Sequence, residues 1–388
     1  MRYLKIILVL LVTSVSANAD EKNIPEAFRG EVPGAPVEIN YEDWSLILRT
    51  TVIGASRSGR GKGVSSSGSR VARTNTKDTR TDGNRINFKL LAETQNLETL
   101  TIIRQSLEQV PSEIPMKLWD KREQLAYWLN LYNITLIEQL AKEYPFRKLK
   151  KKKLAKKGIW TEKTLTVAGV PLSLNDIQYI ILPNKWDTTL VMYGLFQGFI
   201  GGPSVQKAAF TRDNVQRLLI ASAKEFVNSN RGMKVKGKAL KVSGFYKENK
   251  ALFPDWNNDI KAHILSLSND RMKPKVNSTS KVSTLSMDYE TTDVFAGGAT
   301  ALTSQSNNAA ALEFANQAKH DTGGAPSGQG STPPVPIIHS LSNWAKMAQK
   351  EYRLPQTTKD FILQMRKERL GKEGDVRIEE VDGGQSEK

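Results

Sequence analysis

The sequence predicts an α+β fold, in which a helical framework around one central helix packs on a small antiparallel or mixed sheet. Apolar residues repeat at helical spacing as a broad stripe over 120–144, which is typical of a helix in the middle of a domain. Alternating apolar residues at 160–172 and 233–242 are typical of strands in hairpins. After residue 272, Ser, Thr, Asn, Gly, Ala and Pro dominate, which predicts a disordered linker before two short C-terminal helices.

The predicted helices rest on apolar residues three and four positions apart. Pro111 and Pro145 predict where two of them end, because proline disrupts the interior of a helix. Ser173 is a predicted N-cap, and Asp176, three residues later, is its capping-box partner. The helices predicted in the main domain cover 41–52, 88–110, 120–144, 177–182, 214–228 and 260–267.

The predicted strands are short. Residues 160–172 alternate around Ala168-Gly169, which indicates a hairpin, and 233–242 indicate a Lys-flanked strand or hairpin. Residues 189–200 form an apolar run before Gly201-Gly202-Pro203, which predicts a buried strand that shares a sheet with 160–172.

Composition excludes several classes of protein and of site. The chain has 388 residues and a net charge of +16, with 39% hydrophobic and 25% charged residues, which excludes a fully disordered chain and a membrane bundle. Cysteine is absent, which excludes disulfides, thiolate nucleophiles and Cys-ligated metals. His263, His320 and His339 are far apart in sequence, so we expect neither a metal site nor a cofactor.

Residues 1–19 predict a signal peptide. A short basic start precedes an apolar run over 6–15, and Ala17-Asn18-Ala19 has the small residues that signal peptidase requires. The apolar run is too short to cross about 30 Å of hydrocarbon. We therefore expect a mature protein without a transmembrane segment, located in the periplasm or outside the cell.

The rest of the chain divides into four predicted regions. Residues 20–40 are an extended lead-in, and 41–272 form a globular domain with a flexible basic loop at 53–75. Residues 273–336 are the low-complexity linker. Residues 337–388 hold the two short helices and a polar tail; because such helices are too small to fold alone, they would dock on the main domain or on a protein partner.

Residues 147–157 are the most basic stretch and are called the basic segment below. It contains eight cationic residues and no acid: Arg147, Lys148, Lys150, Lys151, Lys152, Lys153, Lys156 and Lys157. Two interpretations stay open, namely binding of an anionic envelope polymer or lipid headgroups, and a solvated loop that only raises solubility. Export and the lack of aromatic residues inside the segment disfavour genomic nucleic acid as the partner.

Three ordered motifs resemble a known family. The run Glu123-Gln124-Leu125-Ala126-Tyr127-Trp128-Leu129-Asn130-Leu131-Tyr132-Asn133 resembles the helix signature E-x-x-A-[FY]-W-[IL]-N-x-Y-N of domain-of-unknown-function family five hundred and forty-seven. The next motif is Val167-Ala168-Gly169-Val170-Pro171-Leu172-Ser173-Leu174-Asn175-Asp176-Ile177, and the third is Ala223-Lys224-Glu225-Phe226-Val227-Asn228. Thr81-Asp82-Gly83-Asn84-Arg85-Ile86 resembles a motif of exported bacterial members. The resemblance covers roughly 40–270.

This chain departs from the family pattern at its reactive residues. Many members carry His and Cys in the stretch before the Pro turn, and aligned through Leu195 and Pro203 this chain has Met192 and Gln197 there. Neither side chain can act as base or nucleophile in their place. The resemblance therefore implies a binding or catalytically degenerate member. If the chain is catalytic, the candidate residues are Asn130, Tyr193 and Gln197.

Two other functions are compatible with the sequence. One is a hydrolase or transferase that acts on an envelope polymer or peptide through carboxylate or Tyr/Asn chemistry. The other is a scaffold or assembly protein that docks through its C-terminal helices. For the helix signature itself, we expect Trp128 and Tyr132 to pack in the core, and Asn130 and Asn133 to brace a neighbouring loop rather than touch a ligand.

Overall fold

The computed structural model describes residues 21–54, 79, 82–295 and 353–373, and it has the predicted α+β architecture. The helices are, in chain order, α1 Glu42–Thr51, α2 Phe88–Leu91, α3 Thr94–Glu113, α4 Lys121–Lys142, α5 Lys150–Lys153, α6 Leu174–Asp176, α7 Leu182–Lys185, α8 Val215–Val227, α9 Gly244–Glu248, α10 Trp256–Leu267, α11 Lys273–Asn277 and α12 Gln356–Glu373. The strands are β1 Val52–Ile53, β2 Arg85–Ile86, β3 Leu165–Val167, β4 Val170–Leu172, β5 Met233–Lys236, β6 Ala239–Val242 and β7 Lys281–Thr284.

Helix α4 is the centre of the fold, as its wide apolar stripe predicts. Asp120 caps it, since its carboxylate accepts a hydrogen bond from the backbone N–H of Arg122. Tyr127, Trp128 and Tyr132 are fully buried. The Trp128 ring meets Phe28 edge to face at 4.9 Å, so the expectation that this face packs in the core is confirmed.

The described strands form three small sheets. β1 and β2 pair antiparallel, and β3 and β4 form the predicted hairpin, with Ala168 and Gly169 both at positive φ in its turn. The third sheet is mixed, because β6 pairs antiparallel with β5 and parallel with β7. The capping box of Ser173 and Asp176 forms at the start of α6 as predicted.

The predicted strand at 189–200 is wrong. Residues Thr189–Gly194 form a 3-10 helix, and no sheet joins this stretch to β3 or β4 among the described residues. The physical reason lies in Asn133, whose amide donates to Gly194 O at 2.8 Å and accepts from Phe196 N at 2.9 Å. A side-chain amide thus satisfies backbone groups that a partner strand would otherwise pair.

The predicted end of the domain at 272 is also wrong. Residues 273–295 contain α11 and β7, and the stretch 288–294 bonds through its backbone to three separate parts of the fold. Gly201 N bonds Asp288 O, and Thr292 N bonds Gly198 O. Composition misplaces this boundary because backbone hydrogen bonds, rather than burial of large apolar side chains, hold the stretch in place.

The lead-in is more than an extended segment. Two 3-10 turns, Glu21–Asn23 and Glu26–Phe28, interrupt it, and Phe28 is fully buried. The buried amine of Lys185 donates to Phe28 O at 2.5 Å and to Gly30 O at 3.0 Å. These contacts make the lead-in part of the core.

Two predicted helices extend past their predicted ends. Helix α3 runs to Glu113, so Pro111 lies in its last turn. Ile177–Ile181 form a π-helical turn that continues into α7, where Pro183 occupies a first-turn position that needs no N–H donor.

The second predicted C-terminal helix forms as α12 and docks on the main domain. Just before α12, the Arg353 guanidinium bonds both carboxylate oxygens of Asp43 and the hydroxyl of Ser106. Thr358 accepts a hydrogen bond from the backbone N–H of Glu38 at 3.0 Å. We call residues 353–358 the clasp, because they join the lead-in to α3.

Several predicted regions lie outside the described residues. They are the signal peptide at 1–19, most of the basic loop at 53–75, the linker from 296 to 336, the first C-terminal helix and the tail after 373. Within the ranges that are described, no helix is both long and apolar enough to span a membrane.

Candidate functional site

The basic segment lies at the surface on a fixed backbone. Leu149 N bonds Tyr289 O at 2.9 Å, and Thr291 N bonds Arg147 O at 3.0 Å. The four lysines of α5 follow directly. The segment is therefore held against the 288–294 stretch, which the composition placed in the linker.

Most of its charges face solvent without a counterion. Six cationic side chains are exposed, and none of them forms an ion pair within the part of the chain that the structure describes: Arg147, Lys148, Lys150, Lys151, Lys156 and Lys157. Lys152 pairs with Glu143 at its side. The surface is thus a concentrated positive patch, and Lys153 is its exception.

Lys153 points into the protein. Its side chain is only 5% exposed, and its Nζ lies 4.9 Å from the centre of the Trp160 ring. The same amine donates a hydrogen bond to Gln197 Oε1 at 2.9 Å. Lys153 was predicted as one of eight anion-binding residues, and this placement assigns it to the interior instead.

Gln197 stands at the centre of a buried polar group. Its Nε2 donates to Tyr132 Oη at 3.0 Å, and the Tyr132 hydroxyl donates to Gln178 Oε1 at 3.1 Å. Gln178 Nε2 reaches Asn249 Oδ1 at 3.4 Å. We call Tyr132, Lys153, Gln178, Gln197 and Asn249, together with Glu248, the Gln197 cluster.

Glu248 supplies the acid of the cluster. Its carboxylate lies 3.9 Å from Lys153 Nζ, and its Oε2 is buried without a hydrogen bond among the described residues. Burial raises the pKa of Glu248, while Lys153 acts in the opposite direction. Burial lowers the pKa of Lys153 from 10.5 to about 8, and the charge of Glu248 only partly opposes this shift.

Tyr193 and Met192 lie apart from this cluster, in a second apolar core that includes Phe226 and Tyr246. The Tyr193 hydroxyl donates to Tyr246 Oη at 3.0 Å and lies 2.7 Å from His263 Nε2. Burial lowers the pKa of His263 from 6.5 to about 4, so this imidazole is neutral at pH 7. The network is enclosed, which explains Tyr193 as a core residue.

Asn130 braces a neighbouring loop, as was expected for this residue of the helix signature. Its amide donates to Phe210 O at 2.7 Å and accepts from Phe210 N at 2.9 Å. Asn133 makes the matching pair of bonds to Gly194 and Phe196. Each buried amide both donates to and accepts from loop backbone, which assigns both residues to bracing these loops.

The three sequence candidates are therefore not brought together. Asn130 braces one loop, Tyr193 belongs to the second core, and only Gln197 lies among ionisable groups. Gln178 and Glu248 were missed, and the π-helical turn Ile177–Ile181 that directs Gln178 inward has no simple sequence signal.

Chemically, the cluster offers an amine, a carboxylate and two amides around a phenol. No residue there is a thiol or an imidazole, so the Cys/His chemistry implied by the family pattern has no reactive groups at these positions. Across the described residues, no three His, Asp or Glu side chains are grouped to hold a metal ion.

Comparison with known proteins agrees with the helix signature. No curated protein and no solved structure matches the chain. One family model does, over residues 116–227, a stretch that holds α4, the basic segment and Gln197 but not Glu248 or the clasp. The family read from the signature is thus confirmed for residues 116–227, which match the family described as "Protein of unknown function, DUF547".

Proposed function

We propose that this chain is an exported binding protein that attaches to an anionic component of the cell envelope through its basic segment. The observation that carries the proposal is the set of six exposed cationic side chains, close together in sequence and without ion-pair partners among the described residues. Because the backbone of Arg147 and Leu149 is bonded to the 288–294 stretch, the segment is anchored before any partner binds.

The electrostatic attraction of six basic residues to an anionic surface is sufficient for useful affinity. A basic residue near an anionic surface contributes about 1 kcal/mol, so six together supply on the order of 6 kcal/mol at low salt. Screening weakens this contribution as ionic strength rises, since exposed charges interact over a Debye length of about 10 Å at 0.1 M salt. Salt-sensitive attachment is the expected behaviour.

We further propose that this member does not perform the Cys/His chemistry of its family pattern. Both ends of the Gln197 amide are occupied, by Lys153 and by Tyr132, and Met192 is buried in the second core. These contacts give the Gln197 cluster a role in holding the basic segment. In this chain, the positions of the family's reactive residues would thus stabilise the binding surface instead of performing chemistry.

Export is part of the proposal and rests on the signal sequence alone. The full chain expressed in a bacterium that exports proteins should be recovered from the periplasm or medium with Asp20 at its N-terminus. Recovery of a cytoplasmic chain that retains residues 1–19 would contradict this part.

Retention on an anionic matrix tests the binding surface. The test variant replaces Lys150, Lys151, Lys156 and Lys157 by Gln and leaves the inward Lys153 intact. A control variant removes the same charge elsewhere by replacing four exposed lysines, Lys224, Lys236, Lys238 and Lys275. We expect the test variant to elute from heparin at clearly lower salt than the control. Equal elution of the two variants would show that net charge alone governs retention and would overturn the proposal.

A further inference from the structure

We infer, on the basis of the proposed function, that the anionic partner is a lipid bilayer, and that Leu154, Tyr179 and Ile180 insert among its headgroups beside the basic segment. The proposal rests on exposed apolar side chains placed next to unpaired cations. A polymer partner would need the cations only.

Leu154 is the most exposed large apolar residue in the described part of the chain. Its side chain is 61% exposed, although it lies inside the basic segment, directly after Lys153 and before Lys156. Single exposed apolar residues are common on protein surfaces. One in the middle of a cationic patch has the arrangement that peripheral proteins use at a membrane, where basic residues meet headgroups and an apolar residue enters the boundary below them.

Tyr179 and Ile180 are the second apolar part. They follow Gln178 in the π-helical turn, and this turn buries Gln178 while leaving Tyr179 and Ile180 exposed at 38% and 39%. Two exposed apolar residues in succession are uncommon for a segment whose neighbours Ile177 and Ile181 are fully buried. The turn therefore presents them outward at a fixed position.

The Gln197 cluster connects the two apolar parts through hydrogen bonds. Gln178 lies 3.5 Å from Gln197 Nε2, and Gln197 Oε1 lies 2.9 Å from Lys153 Nζ. One chain of hydrogen bonds thus connects the residue before Tyr179 to the residue before Leu154. Burial raises the pKa of Tyr179 and the charge of Glu248 adds to this shift; the same charge acts on Lys153, which agrees with this connection.

Vesicle binding with matched variants tests the inference. The probes are vesicles of phosphatidylglycerol mixed with phosphatidylcholine, and heparin as an anionic polymer without an apolar phase. The test variant is Leu154→Ser with Ile180→Ser. The control variant is Leu363→Ser with Ile102→Ser, which removes side chains that are 52% and 39% exposed elsewhere on the surface.

We expect the test variant to partition to the vesicles at least about tenfold more weakly than the control, with heparin affinity unchanged. Equal vesicle binding by both variants would overturn the lipid inference. Binding of the native chain to heparin but not to vesicles would also overturn it, while leaving the proposed function in place. Failure to bind either probe would reject both proposals.

Discussion

Lys153 Nζ lies 2.9 Å from Gln197 Oε1, so one lysine of the most basic stretch reaches a buried residue of the core. The Lys153 side chain is 5% exposed, and Gln197 is fully buried. This contact joins the surface that carries the positive charge to the interior behind it. Of the eight basic residues, six are exposed charges, and Lys152 pairs at the surface with Glu143. Lys153 is the anchor, because it bonds the segment to the interior.

Replacing the anchor should destabilise the fold. Lys153→Met leaves Gln197 Oε1 without its donor and removes the cation nearest Glu248, so we expect the free energy of unfolding to fall by about 1–3 kcal/mol. Chemical denaturation measures the change. Lys151→Met, at an exposed position two residues earlier in α5, is the control and should change stability by less than about 0.5 kcal/mol. Equal effects from both variants would mean that Lys153 is not an anchor.

The clasp makes a second prediction. Arg353 and Asp43 are both buried and pair through two hydrogen bonds of 2.9 and 2.6 Å, so Arg353→Met leaves a buried carboxylate uncompensated. We expect a loss of about 3–5 kcal/mol in the free energy of unfolding. The exposed pair of Arg49 and Glu42 is the matched control, and Arg49→Met should cost less than about 1 kcal/mol.

A stable Arg353→Met variant would show that the C-terminal segment does not stabilise the domain. That result would favour the scaffold function, because α12 would then be available to a protein partner. Deletion of residues 337–388 with measurement of oligomer mass tests that alternative separately. If the clasp holds the fold, the deleted chain should unfold at lower denaturant concentration than the full chain.

Acid should destabilise the second core through His263. Its folded pKa of about 4 lies below the ordinary 6.5, so between these values the unfolded chain binds more protons than the folded one. Stability contributed by the neutral ring is therefore present above pH 6.5 and is lost as pH falls toward 4. We expect the native chain to lose about 1–3 kcal/mol more than His263→Gln between pH 7 and pH 4, as measured by denaturation at each pH.

The comparison with His263→Gln cancels the other groups that titrate in this range. Glu123 is one of them, and its pKa of about 8 gives a change of opposite sign. An identical pH dependence in both chains would show that the bonds of His263 to Tyr193 and Thr189 do not depend on its neutral form.

Local signals predicted the parts of the fold that depend on neighbouring residues. The apolar stripe predicted α4, and the spacing of Ser173 and Asp176 predicted a capping box. The need of a buried amide for hydrogen bonds predicted that Asn130 and Asn133 brace loops. In each case the interacting groups are set by helical periodicity or by burial of a single polar side chain.

Contacts between distant parts of the chain were not predictable in this way. The 288–294 stretch pairs through backbone atoms that carry no sequence signal, and Arg353 meets Asp43 across 310 residues. The contact between Glu248 and Lys153 also joins residues that are far apart in sequence, so no local signal predicts it. Anion binding therefore stays a prediction for the six exposed residues, while Lys153 points inward because of its contacts with Gln197 and Trp160.

The salt dependence of heparin affinity tests the central claim most directly. The account predicts that the logarithm of the native chain's affinity falls linearly with the logarithm of salt concentration between about 50 and 200 mM. It further predicts a distinctly shallower slope for the variant with Gln at Lys150, Lys151, Lys156 and Lys157, because fewer counterions are released. Native and variant chains that share one slope would show that these lysines do not contact the anion and would contradict the account.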